Sequence, residues 1–433
     1  MGSHNATRLE RLRSASSIEP RQVAFLALSL ATFINVLGIG AVIPVLPLFV
    51  KGPIGAGDIA VGIVIGAFSV TGIMMRPIGG RLADRRGRKL VHIWGILICI
   101  VGAALLFLPA GVAGLVLSRL IVGIGEGWVF TAGVTWIVDL APIDRRGRVV
   151  GLFGLSIWSG ITIGAIFGSL ILSGAGYDAV WAFAVAAPII AVLIASMIPA
   201  ATATPQSAAE EFAAAELGAN VGDDTRGEAN EAIEESRNEG GLRRWIPSST
   251  LRPGIALASI SLAYGTFMAF VVLLLDAEGI GHGAAVFTAF TASFVLTRLA
   301  FGSAPDRIGP RPTALIGGMA QASGLILVAL AGSLPLVLIG AIIAGGGMSV
   351  IFPSLALIVI RNTDPARRAT AMGAYTAFFD LGVGAGAPLA GFIASLGAGT
   401  NYKTAFIVAA LISAGGTLIV LLGPQQNGTA TNG

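Results

Sequence analysis

From Pro312 to Ile360 the chain carries no Asp, Glu, Lys or Arg. About 20 apolar residues cross the hydrocarbon core of a bilayer as a helix, so this run is too long for one crossing. The "GSLP" at 332–335 is its natural break, and the stretch is predicted to be a hairpin of two membrane helices. The same division elsewhere predicts spans near 23–50, 58–78, 90–109, 112–140, 149–173, 179–199, 251–275, 282–303, 312–332, 335–360, 368–396 and 403–423. With 55% hydrophobic and only 12% charged residues, a chain of this length has more apolar side chain than a soluble domain hides. The expected fold is an all-α integral membrane protein of twelve helices.

Charge sets the expected topology. Lys and Arg collect at Arg76 to Lys89, Arg145 to Arg148, Arg298 to Arg311 and Arg361 to Arg368, and the alternate loops hold almost none. By the positive-inside rule these loops are cytoplasmic, and so are both termini. The first span is too long for a signal-peptide core and stays as an anchor, placing the chain in the cell (plasma or inner) membrane. The net charge of +4 reflects these loops, so nucleic acid is not an expected partner. Cys99 is the one cysteine and has no intrachain partner; with His92 and His282 near membrane borders, no metal set is expected. Asn5 and Asn427 sit in glycosylation-like triplets on the cytoplasmic tails and are discounted.

Composition changes between 200 and 250, where Ala, Glu, Asp, Ser and Gly dominate. This reads as a solvated acidic linker, with a partner-binding segment as the alternative. The expected units are a tail at 1–22, a six-helix bundle at 23–199, the linker at 200–250, a second six-helix bundle at 251–423 and a tail at 424–433. The two bundles repeat at an offset of 222. Arg76, Gly80, Asp84, Arg85 and Gly87 fall on Arg298, Gly302, Asp306, Arg307 and Gly309; Gly123 and Gly125 fall on Gly345 and Gly347; Gly160 and Gly164 fall on Gly382 and Gly386. Duplicated, pseudo-symmetric halves are typical of secondary transporters, whose substrate site lies between them near the midplane.

At these residues the chain resembles the major facilitator superfamily. "GRLADRRGRK" at 80–89 is similar to that family's loop between helices 2 and 3, "RLIVGIGEG" at 119–127 to its helix 4 pattern, and "LGIGAVIPVLP" at 37–47 to helix 1 of its twelve-helix drug/proton antiporters. The antiporter branch carries Gly-Pro in helix 5, where this chain has Ala165; a Gly-Pro-like element occurs instead in helix 11, "GVGAGAPLAG". The resemblance implies a conformational gate. The loop's acid would sit against helix 11, and its cations would meet an acid at the end of helix 4, here Asp139.

The gate residues are therefore Gly80, Asp84, Arg85, Gly87, Arg88, Lys89 and Asp139, with a reduced copy at Asp306 and Arg307. Its glycines allow a tight turn, and Asp84 is suited to accept hydrogen bonds from free donors at a helix N-terminus. The plainer reading is a topology signal with phospholipid contact. Arg119, Gly123 and Glu126 share one face of the fourth span. A charge at mid-bilayer costs about 2.5–3.5 kcal/mol on insertion scales, so these form either a structural ion pair or a proton or cationic-substrate site in which Arg119 holds Glu126. Asp380 lies about 18 Å of rise into the eleventh span, with no cation near it in sequence. It is either a hydrogen-bonded structural acid or a coupling group that takes up and releases protons. Gly160, Gly164, Gly386 and Pro388 suit helices that bend or pack closely. Asn35, Trp128, Trp158, Tyr264, Phe378 and Phe379 are candidates for a cavity wall, with core or lipid packing as the alternative for each.

The expected function is secondary active transport, a proton-coupled export of a small amphipathic compound by a functional monomer. The alternatives are proton-coupled or facilitative uptake, which Ala165 keeps open, and a non-transporting receptor or scaffold acting through the linker. No nucleophile–base set or phosphate-binding loop appears, so neither an enzyme nor a cofactor is expected.

Overall fold

The computed structural model describes residues 20–140, 146–199, 247–363, 367–396 and 401–420. The two tails, Arg145 and nearly all of the acidic linker lie outside the described residues. Among the described residues eleven helices are long and apolar enough to cross a membrane, and one of them runs for 49 residues. That one is two spans, because Gly176 breaks it with a φ of 79°.

The spans are α1 (Pro20–Val42), prolonged beyond a turn by the short helix Leu46–Lys51; α2 (Asp58–Arg86); α3 (Arg88–Ala104); and α4 (Gly111–Leu140). The two arms of Arg146–Met197 are α5, before Gly176, and α6, after it. The second half holds α7 (Ser248–Ala277), α8 (Gly283–Phe301), α9 (Pro310–Leu330), α10 (Leu334–Arg361), α11 (Arg368–Ala394) and α12 (Tyr402–Ile419), with a short helix Ala304–Arg307 between α8 and α9. The linker joins α6 to α7, and that side of the bundle is called here the linker end; the other is the loop end.

The duplication seen in the sequence is a duplication of contacts. Gly87 and Gly309 turn the chain with φ of 91° and 96°, a backbone that only glycine adopts without strain. Thr71 on α2 donates to the Leu120 carbonyl on α4 at 2.7 Å, and Ser293 on α8 donates to the Ile342 carbonyl on α10 at the same distance. Gly123 lets α4 approach the Phe68 carbonyl as Gly345 lets α10 approach that of Phe290; a Cβ there would lie 2.2 Å and 2.1 Å from the oxygen. Without a hydrophobic force between helices in lipid, such close approach is what holds spans together.

Within each half, glycines seat one helix on the next. Gly160 and Gly164 of α5 face the Phe33 and Leu37 carbonyls of α1, while Gly382 and Gly386 of α11 face those of Ala258 and Leu262 of α7. These glycines serve packing. The halves then meet along two seams. On one, Gly62 and Gly66 of α2 lie against Ala387, Pro388 and Gly384 of α11; on the other, Trp158 of α5 stacks on Phe294 of α8 at 3.8 Å. Large apolar side chains such as Leu170, Leu193, Leu296, Leu299 and Leu330 remain outward and exposed, which only a lipid surround tolerates.

One expected boundary differs. The second span does not stop at 78 but stays helical through Arg86, so Gly80 is a helix residue and Gly87 alone makes the turn.

The packing role of the glycines is checked by a matched pair. Gly345→Ala drives a Cβ into the Phe290 carbonyl, whereas Gly373 has open space around it. Thermal unfolding of the purified protein should show Gly345→Ala destabilised by about 1–3 kcal/mol, as for overpacked cores. Gly373→Ala should be neutral or stabilised by up to about 1 kcal/mol through helix propensity.

Candidate functional site

A cavity of about 400 Å³ lies between the halves and is lined by both. It extends toward the linker end, where Val134, Val150 and Gly151 border it. At the loop end the halves are joined: the Tyr402 hydroxyl on α12 donates to Asp58 Oδ1 on α2 at 2.7 Å, and Lys51 pairs with the same oxygen at 2.9 Å.

The charges that line the cavity are Arg76, Arg119, Glu126, Arg298 and Asp380. Sequence reading left Asp380 without a cation; the structure corrects this. Arg76 Nη2 on α2 lies 3.0 Å from Asp380 Oδ1 on α11, an ion pair between residues 304 positions apart that bridges the two halves. The Arg76 guanidinium also sits 4.7 Å over the Phe130 ring. The pair is incompletely satisfied, because among the described residues Asp380 Oδ2 and Arg76 Nε have no hydrogen-bond partner. Asp380 itself is 4% exposed.

Arg119, Gly123 and Glu126 do share the cavity, as their spacing implied. Arg119 does not hold Glu126 by direct contact, however. Asn35 Nδ2 on α1 donates to Glu126 Oε1 at 2.7 Å, and the Cys99 thiol lies 3.9 Å from the same oxygen. Arg119 packs 5.3 Å over the Phe68 ring, and among the described residues its Nε has no partner. One helical face brought acid and base to the same space, but α1 supplied the nearer donor.

At the linker end Arg88 pairs with Asp139 and donates to the Thr135 carbonyl at 2.8 Å, joining α3 to the end of α4. Lys89 donates to the Ser196 carbonyl at 2.8 Å and to that of Ile198, tying α3 to α6. Asp84 and Arg85 are exposed. Among the described residues the capping expected of Asp84 is not made: α2 stays helical to Arg86, so Asp84 rides its last turn, and α3 starts after Gly87 with no side-chain cap. Asp306 and Arg307 lie in the short helix before Gly309, where no side chain caps α9 either.

Of the six wall candidates, Trp158, Tyr264 and Phe379 line the cavity. Asn35 reaches it through Glu126. Trp128 packs against Gly79 in the α2–α4 contact, and Phe378 fills the space left by Gly254 on α7. Both bulky rings were drawn to glycine gaps that no spacing in their own helices reveals. Sequence reading missed Arg76 and Arg298 as site residues, although their recurrence at the repeat offset marked both.

A model of the Major Facilitator Superfamily matches residues 28–285 and 254–432. The chain is 28% identical to an uncharacterised MFS-type transporter of Salmonella typhimurium, covering 94% of this chain and 97% of that one. It is 29% identical to the uncharacterised MFS-type transporter YhhS of Escherichia coli, covering 84% of each. Its fold is similar to that of the nucleoside transporter NupG (TM-score 0.69, 15% identity, 92% of this chain and 98% of that chain). It is likewise similar to the human organic anion transporter MFSD10 (TM-score 0.66, 17% identity, 93% and 100%).

The bridge between halves makes a stability prediction with a direction. Arg76→Gln leaves a carboxylate whose side chain is 5% exposed, whereas Asp380→Asn leaves a guanidinium that is 23% exposed and still over Phe130. In thermal unfolding of the purified protein Arg76→Gln should cost more, up to about 3 kcal/mol. The double variant should recover most of that loss.

Proposed function

The chain belongs to the Major Facilitator Superfamily, a family of secondary transporters and not of enzymes, and from that premise we propose that it exports a small amphipathic organic compound in exchange for protons. The observation that carries the reading is the Arg76–Asp380 pair. It joins the halves inside the cavity, and one oxygen of Asp380 remains free to receive a proton. A proton on Asp380 removes the charge that holds Arg76, so protonation weakens the bridge and favours the rocking that alternating access requires. Glu126, held by Asn35, is the second titrating group.

The remaining assignments follow the same reading. The cationic loops put the linker end, both termini and the acidic linker in the cytoplasm, and the uncharacterised bacterial relatives suit an inner-membrane location. The cavity then faces the cytoplasm, where an exporter loads. Arg88, Lys89 and Asp139, bonded between helices at that end, form the gate, and the linker tethers two bundles that work together as a monomer. NupG and MFSD10 carry nucleosides and organic anions, which are small organic solutes of the size the cavity admits. Each proton entering yields about 2.3 kcal/mol per 100 mV and about 1.4 kcal/mol per pH unit. Uptake is the second reading, favoured by one observation: α5 carries Ala165, fully buried, where the antiporter pattern has proline.

Energised inside-out vesicles test this. A panel of small amphipathic metabolites added outside should trigger proton release from the acidic lumen with the wild type, and Asp380→Asn, expressed to the same level, should abolish it. Release undiminished in the variant would return Asp380 to a structural role, and substrate movement that leaves lumenal pH unchanged would overturn proton exchange.

A further inference from the structure

The pseudo-symmetry of the halves leaves one cation over. Arg76 on α2 and Arg298 on α8 are equivalent at the repeat offset of 222, and so are the positions of Trp158 and Asp380. Arg76 therefore reaches across to a carboxylate, whereas the position that would serve Arg298 in the same way is an indole. Arg298 Nη1 donates to the Ser349 carbonyl at 3.2 Å. Among the described residues no carboxylate is ion-paired with it.

The charge inventory of the cavity agrees. Three guanidiniums face two carboxylates there: Asp380 is paired with Arg76, and Glu126 shares the first half with Arg119 and is bonded by Asn35. The uncompensated charge is positive. A partly buried guanidinium in an apolar chamber is costly unless something pairs with it, and its planar fork suits a carboxylate or phosphate. The wall beside it is aromatic. Trp158 and Phe294 stack at 3.8 Å with their planes 27° apart, and Tyr264 lies 5.7 Å from the indole. Ser261 also lines the cavity; it is fully buried, and among the described residues its hydroxyl has no partner. The volume, about 400 Å³, falls in the range that holds drug-sized ligands.

We infer that the substrate is an amphipathic organic anion, with its acidic group on Arg298 and its apolar, ring-bearing body against Trp158 and Phe294. This deepens the transport reading above and rests on it. It also assigns the duplicated arginines different work: Arg76 couples the halves, and Arg298 selects the cargo.

The test is equilibrium binding to the full chain in phosphatidylcholine nanodiscs, without any gradient, where no anionic lipid competes. The probes are 2-naphthoate, its neutral isostere 2-naphthamide and a naphthylmethyl-trimethylammonium, followed by calorimetry. Naphthoate should bind about tenfold or more tighter than the amide, the difference expected of a charge-assisted hydrogen bond, and the ammonium more weakly than either. Arg298→Gln should remove that preference, bringing naphthoate down to the amide's affinity in the same variant, and Arg298→Lys should keep part of it. Retained amide binding in Arg298→Gln reports that the variant is folded, and Arg298→Lys carries the comparison if it is not. Equal affinities for anion and amide, no naphthoate binding, or an anion preference that survives Arg298→Gln would each overturn the inference. If the amide or ammonium binds and also drives proton release from vesicles, the anion assignment fails while proton-coupled transport stands; if naphthoate binds through Arg298 but no probe moves protons, the reverse holds.

Discussion

Every span of this protein has to satisfy its own backbone, because lipid offers neither donor nor acceptor. That requirement makes each crossing a helix and leaves the joining of helices to other forces. Glycines at the contacts supply the answer, letting backbones approach until Cβ atoms no longer fit, at Gly123 and Gly345 in the two halves alike. The polar residues that cross the bilayer are then placed by this scaffold, and five charged ones, Arg76, Arg119, Glu126, Arg298 and Asp380, turn inward to the cavity.

What the scaffold places there is unequal. The halves share their turns, their hydroxyl-to-carbonyl bonds and their glycine seats, yet they differ in the residue that faces each inward arginine. Asp380 answers Arg76; Trp158 stands where an answer to Arg298 would be. Symmetric packing gives two bodies that can rock about a common centre, and asymmetric chemistry gives that centre a bridge on one flank and an aromatic wall on the other. The loop-end bonds among Lys51, Asp58 and Tyr402 hold the halves together on the side away from the linker. The cavity accordingly extends the other way.

Much of this is legible in the order of the residues alone. The charge-free run from Pro312 to Ile360, the alternation of cationic loops and the repeat at 222 are properties of the chain read in order. They are enough to count twelve spans in two bundles, because the bilayer imposes one length scale on every element. The shared face of Arg119 and Glu126 was legible for the same kind of reason: helical periodicity is local. The chain itself also carried the recurrence of Arg76 at Arg298, the signal that marks both as site residues.

Tertiary structure alone decided who meets whom. Asp380 has a cation 304 positions away, and Glu126 is bonded by Asn35 from another helix; neither partner lies within the reach of a local pattern. Trp128 and Phe378 left the cavity for gaps made by Gly79 and Gly254, which depends on how two helices are rotated against each other. Asp84 lost its capping role because its helix ran about two turns past the expected end. The sequence determined the number of spans and their division into two repeated halves, through hydropathy and the repeat at 222. The rotation and depth of each helix, and hence the pairing of its charges, came from packing between segments far apart in the chain.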